Sequence, residues 1–135
     1  MQIHKPQPGE FYAPTLARQR CGFSGMRWGS ITPTDIDAFL DFGNRFFVLI
    51  ESKHEGAELP DGQRLALERL CDASLVPCVL IVVSHDCPST QDIDLATTRP
   101  LRYRWKGAWI DMNRETTCRE LVDSIRTKLL SGEVA

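Results

Sequence analysis

Apolar and polar positions alternate with period two over two stretches that meet at Gly43-Asn44. A strand sends successive side chains to opposite faces, so residues two apart share a face. In the first stretch Ile36, Ala38, Leu40 and Phe42 form one face, and Asp35, Asp37, Phe39 and Asp41 form the other. In the second, Phe47, Leu49, Glu51 and Lys53 lie together, opposite Val48, Ile50 and Ser52. Gly43 and Asn44 tolerate the positive φ that a tight hairpin turn demands. A loop running from Gly43 to Arg45 pairs Phe42 with Phe46, which sets Asp37 opposite Glu51 and Asp35 opposite Lys53. A loop one residue shorter would put Asp37 and Glu51 on different faces, because a single-residue slip exchanges the faces of a strand.

Beyond the hairpin the period changes. Gln63, Ala66, Leu67, Leu70 and Cys71 recur at helical spacing and predict one buried helical face, with Gln63 opening it at the N-terminus. Cys78 to Val83 is continuously apolar, as expected of a strand covered on both faces. Tyr103, Trp105 and Trp109 bracket Lys106-Gly107 and predict a second hairpin, its aromatic rings packing on the sheet. Cys118, Leu121, Val122, Ile125 and Leu129 form the apolar stripe of a helix expected over Asn113 to Ser131, with Asn113 as N-cap and Gly132 as stop. Residues 86–98 are the one long irregular stretch, and there are no repeats or low-complexity tracts.

The first hairpin carries the candidate chemistry. Directly opposed residues have Cβ atoms about 5 Å apart, close enough for Asp37 and Glu51 to share one cation. Mg²⁺ and Mn²⁺ take oxygen ligands, commonly one or two carboxylates together with water and a substrate phosphate. Lys53, one step beyond Glu51 on the same face, supplies positive charge where a phosphoryl transition state accumulates negative charge. The same three residues would also suit a solvated strand face held by cross-strand ion pairs, and the order of the later elements is what favours chemistry.

That order is a strand with Asp37, a hairpin, a strand with Glu51-Ser52-Lys53, a helix opening with Gln63, and a buried strand. It resembles the PD-(D/E)XK nuclease superfamily, and is most similar to the virus-type replication-repair nucleases (VRR-NUC) and the small Holliday-junction resolvases. The likeness covers about residues 20 to 85. It implies an α/β fold with a restriction-endonuclease-like core, a mixed central β-sheet flanked by helices in the order α-β-β-β-α-β. It implies that Asp37 and Glu51 hold Mg²⁺ or Mn²⁺, that Lys53 is the catalytic lysine, and that Gln63 positions water or metal. The Ile50 carbonyl or Ser52 backbone would be a further metal contact. Asp35 competes with Asp37 for the acid position, but Asp37 has the apolar neighbours, Ile36 and Ala38, that such an acid usually has. Many members carry another acid on a preceding helix. Glu10 is the one acid before Asp35 here, and a surface position suits it better. Pro33, two residues ahead of Asp35, is displaced from the usual pattern. The implied activity is metal-dependent hydrolysis of DNA, endonucleolytic and compatible with branched substrates, in a protein of phage or mobile-element type. A resolvase would work as a symmetric homodimer. The alternative is a nuclease-like scaffold that cuts nothing and binds DNA or a protein, as an inhibitor or complex subunit.

Composition bounds this picture. A chain of 135 residues with 42% apolar content suits a single domain over 1–135. Its net charge of −2 announces no basic field for nucleic acid. Positive residues are nonetheless grouped, and Arg20 and Arg27 before the hairpin and Arg102 and Arg104 after it are the candidate backbone contacts. No run approaches the roughly 20 apolar residues of a membrane span, and no basic-then-apolar leader opens the chain. The five cysteines include no C-x-x-C pair, which points to reduced thiols and a cytoplasmic protein, in a host cytoplasm if phage-encoded. The absence of a Gly-rich phosphate cradle argues against a nucleotide cofactor.

Overall fold

The computed structural model describes residues 22, 24–88 and 91–131. The chain divides into two units, Met1–Pro33 and Thr34–Ala135. In the first, Trp28 and Ile31 exchange main-chain hydrogen bonds of 2.9 and 3.0 Å. Glu10 and Arg20 lie outside the described residues.

Five strands form one mixed sheet in sequential order, β1 (Ala38–Asp41), β2 (Phe47–His54), β3 (Cys78–His85), β4 (Arg99–Trp105) and β5 (Ala108–Asp111). Strands β2 and β3 run parallel, and the other neighbours are antiparallel. The parallel pair needs a crossover, which helix α1 (Asp61–Asp72) provides, and helix α2 (Cys118–Ser131) follows β5. The α/β class and the mixed sheet with helices are therefore as expected. The expected α-β-β-β-α-β order is not what the described residues form: two strands, not three, precede α1, and two more follow β3. The second hairpin turns at Lys106-Gly107, both at positive φ, and returns the chain to the sheet edge where the pattern would have a helix.

The first hairpin has the longer loop. Gly43 and Asn44 both take positive φ, 64° and 60°. Arg45 N–H closes the turn on the Phe42 carbonyl at 3.1 Å, and Phe42 N–H donates to Phe46 O at 3.1 Å. Arg45 is thus the extra residue that sets the register Ala38↔Ile50 and Leu40↔Val48.

Each face of the sheet carries a core. On the α2 side Val48, Ile50, Val79, Ile81 and Val83 pack with Cys118, Leu121, Val122 and Ile125. On the α1 side Leu49, Leu80, Val82 and Cys78 pack with Leu67 and Cys71. Strand β3 contributes alternate residues to both, which explains its uninterrupted apolar run. The α2 stripe is therefore spent on the sheet. Three details differ from the sequence pattern. Leu70 is 51% exposed, and Glu68 takes a buried place on α1 instead, because it is held by Arg64 at 2.7 Å and approached by Trp109 Nε1 at 3.4 Å. Ile36 packs on the α1-side core, away from Ala38, since the chain is not yet a strand there. Helix α2 begins at Cys118, not Asn113. Thr117 and Glu120 form a reciprocal cap: Thr117 Oγ1 accepts from Glu120 N–H at 3.2 Å, and Glu120 Oε1 accepts from Thr117 N–H at 3.1 Å. Asn113 instead accepts from Glu115 N–H in a local turn. No helix among the described residues is long and apolar enough to cross a membrane.

Candidate active site

The site forms on the C-terminal half of β2, beyond the end of its pairing with β1 and against the N-terminus of α1. Alternation along β2 puts Glu51 and Lys53 on the α1 face, and the crossover brings Gln63 over them. Gln63 Nε2 donates to Glu51 Oε1 at 2.6 Å and to the Asp35 carbonyl at 3.3 Å. Lys53 Nζ donates to Gln63 Oε1 at 3.2 Å and stands 3.2 Å from Glu51 Oε1. The amide of Gln63 is thereby used at both ends, accepting from the lysine and donating to the carboxylate.

Asp37 stands just before β1, where the ladder has not yet formed, and its side chain replaces a main-chain partner. Its Oδ2 accepts from Ser52 N–H at 2.7 Å. Ser52 N–H is thus an anchor for Asp37, a role the sequence reading did not assign. Of Asp35, the main-chain carbonyl reaches Gln63. Asp37 is the acid whose charge acts on Glu51.

Glu51 is 2% exposed. Burial, then the negative charge of Asp37, pushes its carboxyl above the ordinary value of 4.5, against the lowering effect of Lys53 and Gln63. Both donors reach Oε1, and Oε2 is buried with no hydrogen-bond partner among the described residues. A buried carboxylate oxygen left without a donor is costly, and a hard cation or a proton would relieve it. With Asp37 alongside, the donor set is two carboxylates, which fits Mg²⁺ or Mn²⁺ completed by water and phosphate oxygens. No group of three or more His, Cys, Asp or Glu side chains converges as a metal centre among the described residues.

The four predicted catalytic residues are brought together in this way. The predicted nucleic-acid contacts separate. Arg104 is committed to the fold, bidentate to Asp72 at 2.9 and 2.7 Å, and this bond holds the Asp72 carboxyl below its ordinary range. Arg27 Nε donates to Gly29 O within the first unit. Arg102 lies over Trp109. A missed feature is the set Arg64, Glu68, Trp109 and Arg104 that ties α1 to β4 and β5; only helical spacing of Arg64 and Glu68 hinted at it. Compared with known proteins, the chain matches no protein-family model, and no curated protein or solved structure is significantly similar to it.

Proposed function

We propose that this protein is a metal-dependent nuclease that hydrolyses phosphodiester bonds in DNA, with Asp37, Glu51, Lys53 and Gln63 as its site. The observation that carries the reading is the unpartnered, buried Oε2 of Glu51 beside Asp37, with Lys53 and Gln63 fixed on the other oxygen. The resemblance in residue order to the PD-(D/E)XK nucleases supports it. Asp37 and Glu51 would hold Mg²⁺ or Mn²⁺, which supplies Lewis acidity at the phosphoryl group when bound. Lys53 places an ammonium where the non-bridging oxygens gain charge as water attacks phosphorus in line. The new P–O bond forms as the opposite P–O bond breaks, and the water proton ends on the departing oxygen. Gln63, bonded to both Lys53 and Glu51, keeps the lysine aimed at the phosphate.

The test is cleavage of plasmid, linear, single-stranded and four-way-junction DNA with Mg²⁺, Mn²⁺ or EDTA. Metal-dependent cutting is expected, with Glu51→Ala inactive and Lys53→Ala slowed about 10²–10³-fold. A folded wild type that cuts none of these DNAs with either metal would sink the reading. One observation favours a binding module instead: Lys53 already neutralises part of Glu51 at 3.2 Å. In that case Glu51→Ala would leave DNA or protein binding intact and no variant would differ in cleavage.

A further inference from the structure

The sheet register extends the site sideways. Glu51 on β2 pairs with Val82 on β3, Val82 with Arg102 on β4, and Arg102 with Asp111 on β5. Residues paired in register share a face, so Arg102 projects on the α1 face in the same cross-strand row as Glu51. Two strand spacings of about 4.8 Å put their backbones about 10 Å apart. The guanidinium of Arg102 lies 4.5 Å from the centre of the Trp109 ring. Among the described residues that ring is its partner, and no carboxylate or carbonyl engages it. Asp111, across from it, forms no ion pair with it among the described residues. Arg104, the other guanidinium near Trp109 at 5.7 Å, is spent on Asp72 and Glu68. Trp109 itself is fixed at its edge, since Nε1 donates to Glu68 at 3.4 Å.

We propose that Arg102, held over the Trp109 ring, is a phosphate clamp for the strand bound at Asp37 and Glu51, and that Trp109 is its support and not a surface for stacking bases. The inference rests on the nuclease reading and adds to it a substrate grip that reads the backbone. A backbone separation of about 10 Å puts Arg102 within reach of a phosphate close to the scissile one on the same strand. A guanidinium already laid on an aromatic ring has little rotamer freedom left to lose on binding, and its planar fork presents two N–H groups to a phosphate. Such a contact carries no base information, so the grip is the same for any sequence.

The experiment is fluorescence anisotropy of labelled single-stranded and duplex oligonucleotides of two unrelated sequences. Binding is measured in EDTA over a series of salt concentrations, alongside cleavage with Mg²⁺. The proteins are wild type, Arg102→Gln, Arg102→Lys and Trp109→Phe, each checked for folding by circular dichroism. Arg102→Gln is expected to weaken binding about 3- to 10-fold equally for both sequences, and to reduce the salt slope by about 0.7–0.9. Arg102→Lys should restore the slope with part of the affinity, and Trp109→Phe should behave like wild type within about 3-fold. Wild-type slope and affinity in folded Arg102→Gln overturn the clamp while leaving cleavage, and hence the nuclease reading, standing. Binding that falls in Arg102→Gln without any cleavage by wild type supports the clamp and removes the nuclease. No binding of either DNA by wild type overturns the clamp, and if wild type also fails to cut with Mg²⁺ the nuclease reading falls with it.

Discussion

At the scale of single residues, Glu51 is where the physics is most exposed to test. Its carboxyl lies above 4.5 in the folded chain because burial and Asp37 both oppose its charge. The folded chain therefore keeps the proton at pH values where the unfolded chain has released it. That contribution to stability is full below the unfolded value and disappears as pH rises through the folded one. Glu51→Gln keeps the shape and removes the charge, so it is expected to raise the melting temperature at pH 8 by about 2–5 °C, with the gap closing toward pH 4. A gap that does not change with pH would show that Glu51 is not strained by its charge. The cation reading makes a second demand. Mg²⁺ at ten times its dissociation constant should stabilise wild type by about 1.4 kcal/mol and leave Glu51→Gln unmoved, as read by thermal melting with Mg²⁺ or EDTA. This readout needs no DNA and no turnover.

At the scale of elements, the strands follow their patterns closely and the helices do so less. The strand faces need only alternation, which is written in consecutive residues, and β2 divides between the two cores as its sequence divides. Helix α2 shows the limit: its stripe of Leu121, Val122 and Ile125 is legible, but its start depends on which residue closes the cap. Asn113 and Thr117 are both acceptable N-caps by type. Thr117 prevails because Glu120 stands three residues on and bonds back to it, while Asn113 is taken by a turn with Glu115. Thr117→Ala is expected to cost about 1 kcal/mol in urea unfolding, and Asn113→Ala less. Equal losses would mean that the cap is shared.

For the whole unit, stability resides in the central strands that both cores share, β3 above all, since it is buried along almost its whole length. Ile81 is fully buried on the α2 side of β3, and Ile81→Ala is expected to cost about 2–5 kcal/mol. Leu75 is equally apolar but fully exposed in the turn after α1, and Leu75→Ala should change stability by no more than about 0.5 kcal/mol. Urea denaturation of the two variants compares them directly. Should Leu75→Ala cost as much as Ile81→Ala, the two-core arrangement around β3 would be wrong. The same arrangement explains why the site sits where it does: β2 and β3 run parallel and are joined by α1, so the C-terminal part of β2 and the N-terminus of α1 meet at the margin of the α1-side core.

By itself the sequence determined what is local. Alternation, helical spacing and the turn at Gly43-Asn44 depend on residues within a few positions of one another, and they predicted the α/β class and put Glu51 and Lys53 on one face of a strand. What needed the tertiary structure is what depends on distant partners. That β4 and β5 follow β3 depends on where the chain returns to the sheet. Glu68 is buried because Arg64 and the distant Trp109 satisfy it, and Leu70 gives up its place. Arg102 and Arg104, two residues apart and alike in sequence, differ because Asp72 lies within reach of one and not the other. Charge pairing across 32 positions of chain has no local signature, and only the fold decides which arginine remains available.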